Sequence, residues 1–329
     1  MAIRISWKTF ETGVHMQTVI QYTQFGGPEV LEVAQYPDPV PGEGKVLVAV
    51  KAAGVNPIDA KLRQGTRPSD PIEKPRRLGL DASGIISALG PDVDGWAVGD
   101  EVVVRGAFGG YASELVASTG KLVRKPANVP FDQAAALGVA AGTAYQIVDS
   151  IGAGEGDVLL VHAASGSVGQ AVIQFARDKG IVVVGTANAR NLDRVSELGA
   201  IAVEYGDGLV ERVRAAVPQG VDYVLDLAGT DAALQASFEL VPDRSHIGTI
   251  VVGAKAAELG IKAWSGGNPV PLTDEENALR DKGLEVALAG LADGTFQVEI
   301  AAEYPLVEAA EAHRALKSGG LRGKIVLVP

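Results

Sequence analysis

The chain has 329 residues, of which 47% are hydrophobic and 21% charged, and it carries a formal net charge of −11. This length and composition suit a globular protein with two sizeable hydrophobic cores. The negative charge argues against nucleic acid or an anionic membrane as a general partner, and no apolar run reaches the roughly 18 residues of a membrane span.

The first third of the chain is predicted to be a short extension followed by a β-rich domain. Residues 1–15 lack the apolar core of a secretory signal, so we leave them out of the fold and expect a cytoplasmic protein. Short apolar strands separated by turns follow at residues 46–50, 84–89 and 101–104. An alanine-rich helical stretch at residues 131–151 marks the crossing into a second domain.

The most informative stretch is VLLVHAASGSVGQAVIQFA, residues 158–176. A buried parallel strand is predicted first, then a turn of small residues, then an amphipathic helix. The turn fits G-x-G-x-x-G with alanine in the first place. Gly166 would let the backbone approach a pyrophosphate at the helix start, and Gly169 would let helix and strand pack closely. The alternative is a tight connection that binds nothing.

Strands and helices alternate beyond this turn, which predicts a doubly wound parallel sheet. Strands are expected at residues 181–187, 202–205, 221–228 and 247–252, with a helix near residues 192–198. The acidic residue that commonly binds the ribose of NAD is absent after the second strand, where Thr186, Asn188 and Arg190 stand instead. A guanidinium there would pair with the 2′-phosphate of NADPH, although Arg190 could also be a solvated surface residue.

Eight segments, in chain order, carry a resemblance to a known family. They are GGPEVLEV (26–33), AAGVNPIDAKLRQG (52–65), LGLDASGII (78–86), VGDEVV (98–103), GTAYQ (142–146), AASGSVG (163–169), GTANARNLDRVSELGA (185–200) and AHRALKSGGLRGKIVL (312–327). The chain resembles the zinc-independent quinone oxidoreductases of the medium-chain dehydrogenase/reductase superfamily. This implies a GroES-like β-barrel catalytic domain, residues 16–135 and 273–329, a Rossmann NADP-binding domain, residues 136–272, and usually a homodimer.

The chain contains no cysteine, whereas zinc alcohol dehydrogenases of the same superfamily bind metal through cysteine and histidine. The four histidines, His15, His162, His246 and His313, show no ligand spacing, so we expect them to be strand or surface residues and predict no metal site. Without a Lewis acid, the favoured hydride acceptors are quinones and activated enones, because their conjugated systems spread the charge onto oxygen.

The resemblance also implies individual roles. Asn56 is a candidate orienting donor near substrate and nicotinamide, Asp59 would hold Asn56 or its loop, and Thr143 would lie beside the nicotinamide. A turn role for Asn56 and a hydrogen bond of Thr143 within its own helix are the alternatives. The predicted cofactor-binding residues are Asn56, Thr143, Ser165, Gly166, Ser167, Val168, Gly169, Thr186, Asn188, Arg190, Tyr205, Gly253 and Lys324.

Three functions remain open at this point. The leading one is an NADPH:quinone reductase, in which hydride leaves C4 of the nicotinamide and a proton comes from water or a nearby hydroxyl. The second is an NADPH-dependent reductase of enones, alkenals or enoyl substrates, which would share the fold and differ in the cleft. The third is a non-catalytic NADPH-binding protein with a structural or sensing role.

Overall fold

A computed structural model describes residues 15–66 and 69–329, so residues 1–14 of the predicted extension lie outside it. The described chain contains sheets of three, seven and six strands. The first and last parts of the described chain build the first domain, and most of the segment between them builds the second. None of the helices in the described ranges is both long and apolar enough to cross a membrane.

The first domain is built on antiparallel strands. Its N-terminal elements are β1 (Met16–Tyr22), β2 (Glu32–Pro37), β3 (Lys45–Val55), α1 (Pro57–Gln64), β4 (Arg76–Arg77), β5 (Asp81–Leu89), β6 (Glu101–Arg105), β7 (Glu114–Ser118), β8 (Leu122–Arg124) and α2 (Phe131–Ala135). The long strand β3 pairs with both β5 and β7, and its apolar side chains join the buried core of this domain. The strands predicted at residues 46–50, 84–89 and 101–104 are confirmed within β3, β5 and β6.

The second domain is a parallel sheet with helices between its strands. Its elements are α3 (Gly138–Ser150), β9 (Val158–Val161), α4 (Ser167–Asp178), β10 (Val182–Ala187), α5 (Leu192–Glu197), β11 (Ile201–Glu204), α6 (Leu209–Ala216), β12 (Tyr223–Asp226), α7 (Asp231–Leu240), β13 (Ile247–Thr249), α8 (Ala256–Leu259) and β14 (Lys262–Ala263). The strand order β11-β10-β9-β12-β13-β14 is typical of a Rossmann fold. The order reverses between β9 and β12, the position where such sheets bind dinucleotides.

Two predicted strands of this domain are too long, and the first of them, expected at residues 221–228, is observed only as β12, residues 223–226. We expected residues 247–252 to be extended, but β13 ends at Thr249. The Thr249 hydroxyl accepts hydrogen bonds from the backbone N–H groups of Val251 and Val252, at 3.0 and 3.3 Å, and this turns the chain out of the sheet. The turn brings Ile250 and Val251 to the cleft described below.

The C-terminal segment first packs a helix on the second domain and then returns to the first. Its elements are α9 (Asp274–Asp293), β15 (Ile300–Pro305), α10 (Ala309–Ser318) and β16 (Lys324–Val328). Helix α9 begins at a capping box of Thr273 and Glu276 and lies close to α3, because Gly142 and Gly283 leave no room for a side chain between the helices. Strand β16 lies between β15 and β3 in the seven-stranded sheet, so the C-terminal segment completes the first domain, as the resemblance implies.

Candidate active site

The loop from β9 to α4 has the geometry of a phosphate-binding turn. A Cβ on Gly169 would lie 2.6 Å from both the Ala163 carbonyl oxygen and the Ala164 Cα, so the close helix–strand packing predicted for Gly169 is confirmed. A Cβ on Gly166 would meet only the Ala163 carbonyl oxygen, at 3.5 Å, so the other side of Gly166 is open. Ala163 has φ +56°, an uncommon conformation for a residue with a side chain.

A cleft of about 390 Å³ lies between the two domains. Predicted site residues from both domains meet in it, namely Asn56, Thr143, Gly166, Ser167, Val168 and Gly169. Most of its remaining wall is apolar, with Ile58 and Leu80 on one side and Leu227, Ile250 and Val251 on the other. The cleft therefore joins the expected phosphate loop to the expected hydride-transfer residues.

A side chamber of about 180 Å³ continues from this cleft. Leu80, Val139, Thr143 and Arg280 line both spaces, and Arg105 lies in the chamber only. Sequence reasoning did not select Arg280, because it lies on α9, more than 130 residues from the neighbouring lining residue Thr143.

The side chain of Asn56 is held in place by hydrogen bonds to a buried ion pair. Its Oδ1 accepts a hydrogen bond from Lys324 Nζ at 2.5 Å, and its Nδ2 donates to Asp81 Oδ2 at 2.9 Å. Lys324 and Asp81 also contact each other at 3.0 Å, and both side chains are 2% exposed. Nδ2 donates in addition to the Gly54 carbonyl at 3.4 Å. Both amide hydrogens of Asn56 are thus engaged within the protein, and its role as an orienting donor stays a prediction.

Asp59 holds the backbone of Asn56, as the resemblance implies. Its Oδ2 accepts from the Asn56 N–H at 2.9 Å and from the Tyr111 hydroxyl at 3.0 Å, while its Oδ1 has no hydrogen-bond partner among the described residues. Burial, with a smaller contribution from the charge of Asp81, raises the pKa of Asp59 from 3.8 to about 7, although these two hydrogen bonds oppose the rise.

A buried chain of hydrogen bonds continues from Asp59 to α10. Arg63 Nη1 donates to His313 Nδ1 at 2.8 Å, so the Nε2 of the neutral imidazole carries the proton and faces the Tyr111 hydroxyl at 3.3 Å. Burial, assisted by the charge of Arg63, lowers the pKa of His313 to about 3. His313 is therefore a buried helix residue and not the strand or surface histidine that we expected. His162 is also buried, between Thr186 and Ser237.

The residues predicted for the adenosine end of the cofactor follow β10. Asn188 Oδ1 is buried and has no hydrogen-bond partner within the described chain, and Arg190 Nη2 donates to the Gly320 carbonyl at 2.9 Å. Tyr205 is 56% exposed. Ser165 accepts a hydrogen bond from Asn191 at 3.3 Å through its hydroxyl. Their cofactor contacts stay predictions.

Two further predicted cofactor residues lie away from the cleft surface. Gly253 packs directly against the Ser265 carbonyl, with no room for a Cβ, and Ser265 lines the cleft. The Nζ atom of Lys324 donates to Asn56 and Asp81 in the buried ion pair. In this geometry Lys324 acts on the cleft through Asn56.

Comparisons with known proteins agree with this architecture. A family model described as an alcohol dehydrogenase GroES-like domain matches residues 42–145, and one described as a zinc-binding dehydrogenase matches residues 198–327. The quinone oxidoreductase of Lama guanicoe is 32% identical over 338 residues, which cover 96% of this chain and 99% of that protein. The chain belongs to the quinone oxidoreductase family of the medium-chain dehydrogenase/reductase superfamily.

Solved structures of this family have the same fold. The quinone oxidoreductase from Coxiella burnetii superposes with a TM-score of 0.80 at 31% identity, covering 96% of this chain and all of that one. The Escherichia coli quinone oxidoreductase, solved in complex with NADPH, gives a TM-score of 0.80 at 26% identity, covering 95% and 100%. The predicted α/β fold, a GroES-like domain with a Rossmann domain, is confirmed, and the protein is an oxidoreductase.

Proposed function

We propose that this oxidoreductase transfers a hydride from NADPH to quinones without a catalytic metal. The observation that carries the proposal is the shared cleft, in which the open face of Gly166, at the phosphate loop, meets Asn56 and Thr143. NADPH in the Escherichia coli relative supports the cofactor assignment.

The residues at the two ends of the predicted cofactor site fit a dinucleotide phosphate. Gly166 precedes the 12-residue helix α4, whose first N–H groups suit a pyrophosphate. Beyond β10, Asn188 has an unpartnered buried oxygen and Arg190 supplies an exposed guanidinium where a carboxylate would favour NADH. NADPH, when bound, supplies the hydride from its nicotinamide ring.

Thr143 is our candidate for stabilising the substrate oxygen. Its hydroxyl makes no hydrogen bond within the described residues, so the expected alternative, a bond inside its own helix, is not observed. A hydroxyl in this wall can donate to the oxygen on which negative charge develops, while Asn56, held by Lys324, fixes the opposite wall.

The donor groups beside the cleft suit a metal ion poorly. The chain has no cysteine, and both nearby carboxylates are already engaged. Asp59 accepts from the Asn56 backbone and Tyr111, and Asp81 is paired with the ammonium of Lys324, which would repel a dication. These contacts support hydride transfer without zinc.

A panel of acceptors measured with NADPH and NADH in parallel tests the function. We expect NADPH oxidation with 1,4-benzoquinone and 9,10-phenanthrenequinone, and the same rates after dialysis against a chelator. Faster turnover of an alkenal would favour the enone reductase instead. NADPH binding without turnover of any acceptor would leave the non-catalytic alternative.

Arg190→Ala tests the choice of cofactor. Losing one charged hydrogen bond, worth about 1.5–3 kcal/mol, should weaken NADPH binding roughly 10- to 100-fold. NADH has no 2′-phosphate, so its affinity should change much less. Equal NADPH affinity in variant and parent, measured by fluorescence titration, would refute the role of Arg190.

We also propose a cytoplasmic homodimer, on the resemblance alone. Light scattering of the purified full chain should give twice the mass of one chain, and fractionation of the source cells should place the protein in the cytoplasm. A monomeric mass at micromolar concentration would exclude a stable dimer.

A further inference from the structure

Arg280 places a positive charge in the wall shared by the cleft and the side chamber. It lies in the second turn of α9, where Gly142 and Gly283 allow the helix to approach α3 closely. The side chain is partly buried and lines both spaces. A substrate that fills the chamber beside Thr143 would therefore contact this guanidinium.

The contacts of Arg280 fix its orientation but leave its charge unpaired. Nε and Nη2 donate to Gln146 Oε1 at 3.3 and 3.2 Å, and Nη2 donates to the Trp264 carbonyl at 3.1 Å. Both acceptors are neutral, and Nη1 has no hydrogen bond among the described residues. Burial lowers the pKa of Arg280, and the charge of Glu276 opposes this shift.

The nearby carboxylates form no ion pair with Arg280. Asp281, which also lines the chamber, and Glu285 pair with Arg105. Glu276, whose charge raises the pKa of Arg280, accepts from the backbone N–H of Thr273 at the start of α9. Arg105 retains a buried Nε without a hydrogen-bond partner within the described ranges. A partly desolvated cation is stable in such a wall when an anion pairs with it, and no described side chain forms an ion pair with Arg280.

We propose that Arg280 selects hydride acceptors that carry an anionic substituent, a carboxylate or sulfonate bound in the side chamber. The proposal rests on the proposed function and names its substrate class. The reaction is unchanged: the quinone gains a hydride from NADPH and a proton from solvent, giving the hydroquinone and NADP⁺. The anionic group only orients the ring, through the N–H donors of Arg280.

A matched pair of quinones tests the proposal by steady-state kinetics. In the wild-type protein, kcat/KM for 1,2-naphthoquinone-4-sulfonate relative to 1,2-naphthoquinone should exceed the same ratio in Arg280→Gln by roughly 10- to 100-fold. Arg280→Lys, which keeps the charge, should retain part of the preference. Arg314→Gln, on the exposed face of α10, controls for loss of one positive charge and should leave the ratio at its wild-type value.

A binding measurement makes the result independent of turnover. Calorimetry with naphthalene-2-sulfonate, which accepts no hydride, should show 10- to 100-fold weaker binding to the Arg280→Gln variant in the presence of NADP⁺. Equal binding to variant and parent would overturn the proposal even if no quinone is reduced.

The kinetic arm has its own refuting results. If Arg280→Gln lowers kcat/KM for both quinones by the same factor, the guanidinium does not distinguish the sulfonate substituent. If the variant raises KM for NADPH alone, Arg280 serves the cofactor. If no acceptor is reduced but naphthalene-2-sulfonate still binds more weakly to Arg280→Gln than to the parent, the proposed function is refuted and the anion site at Arg280 stands.

Discussion

The buried carboxyl of Asp59 makes protein stability depend on pH in the direction opposite to that of most carboxylates. The side chain is 0% exposed, and burial raises its pKa from 3.8 to about 7. Between these values the folded protein holds a proton that the unfolded chain has released. Stability is therefore highest below pH 3.8, as far as this group is concerned, and falls as pH rises towards 7.

The magnitude follows from the same two values. One unit of pKa difference corresponds to about 1.4 kcal/mol, so the contribution of Asp59 falls by about 4 kcal/mol across the whole window. About 2–3 kcal/mol of this loss lies between pH 5 and pH 8. Stabilities of natural domains are about 5–15 kcal/mol, so the effect is large enough to measure.

The Asp59→Asn variant removes the ionisation. Its amide oxygen can still accept from the Asn56 N–H and the Tyr111 hydroxyl, which now contact Oδ2 of the carboxyl group. Urea unfolding followed by tryptophan fluorescence at pH 5, 6, 7 and 8 gives the unfolding free energy of variant and parent. The variant should gain about 2–3 kcal/mol relative to the parent between pH 5 and pH 8.

Parallel pH profiles of variant and parent would refute this reasoning. Tyr111→Phe provides a second test, because it removes one hydrogen bond that favours the charged carboxyl. Its stability loss should therefore begin at the same pH and extend to a higher pH than in the parent. A profile that ends at a lower pH would contradict the assigned direction.

Four further variants test the cleft. Gly169→Ala should lower the free energy of unfolding by about 1–3 kcal/mol in thermal unfolding, because its Cβ would meet backbone at 2.6 Å. Gly166→Ala should instead fold normally and weaken NADPH binding. Equal stability losses in the two variants would contradict the different roles assigned to the two glycines. Lys324→Met leaves Asp81 as a buried unpaired charge and should cost about 3–5 kcal/mol in urea unfolding, and a cost below about 1 kcal/mol would refute the pairing. Thr143→Val should lower kcat about 10- to 100-fold with NADPH affinity retained, and an unchanged kcat would exclude the hydroxyl from catalysis.

Features encoded by neighbouring residues could be predicted from the sequence. The strand, turn and helix of residues 158–176 depend on local periodicity and on small residues, and the structure has all three in place. The resemblance also implied that Asp59 holds Asn56 or its loop, and Asp59 accepts a hydrogen bond from the Asn56 N–H at the start of α1.

Features that depend on distant segments could not be predicted in this way. The hydrogen bond from Lys324 to Asn56 spans 268 positions, and the contact of Arg63 with His313 spans 250. Arg280 reaches the cleft only because α9 packs on α3. The shortened strand β13 depends on one hydroxyl, that of Thr249, which a strand pattern of apolar residues does not reveal.

The position of β16 determines when the cleft can be completed during synthesis. The last strand of the chain lies between β15 and β3, and Gly323 N–H donates to the Ser165 carbonyl at the phosphate loop. A chain emerging from the ribosome can form the six-stranded parallel sheet of the second domain while the seven-stranded sheet of the first domain still lacks β16. Until Lys324 has been synthesised, Asp81 lacks its ammonium partner and Asn56 is not held, so the parallel sheet can form before the active site is complete.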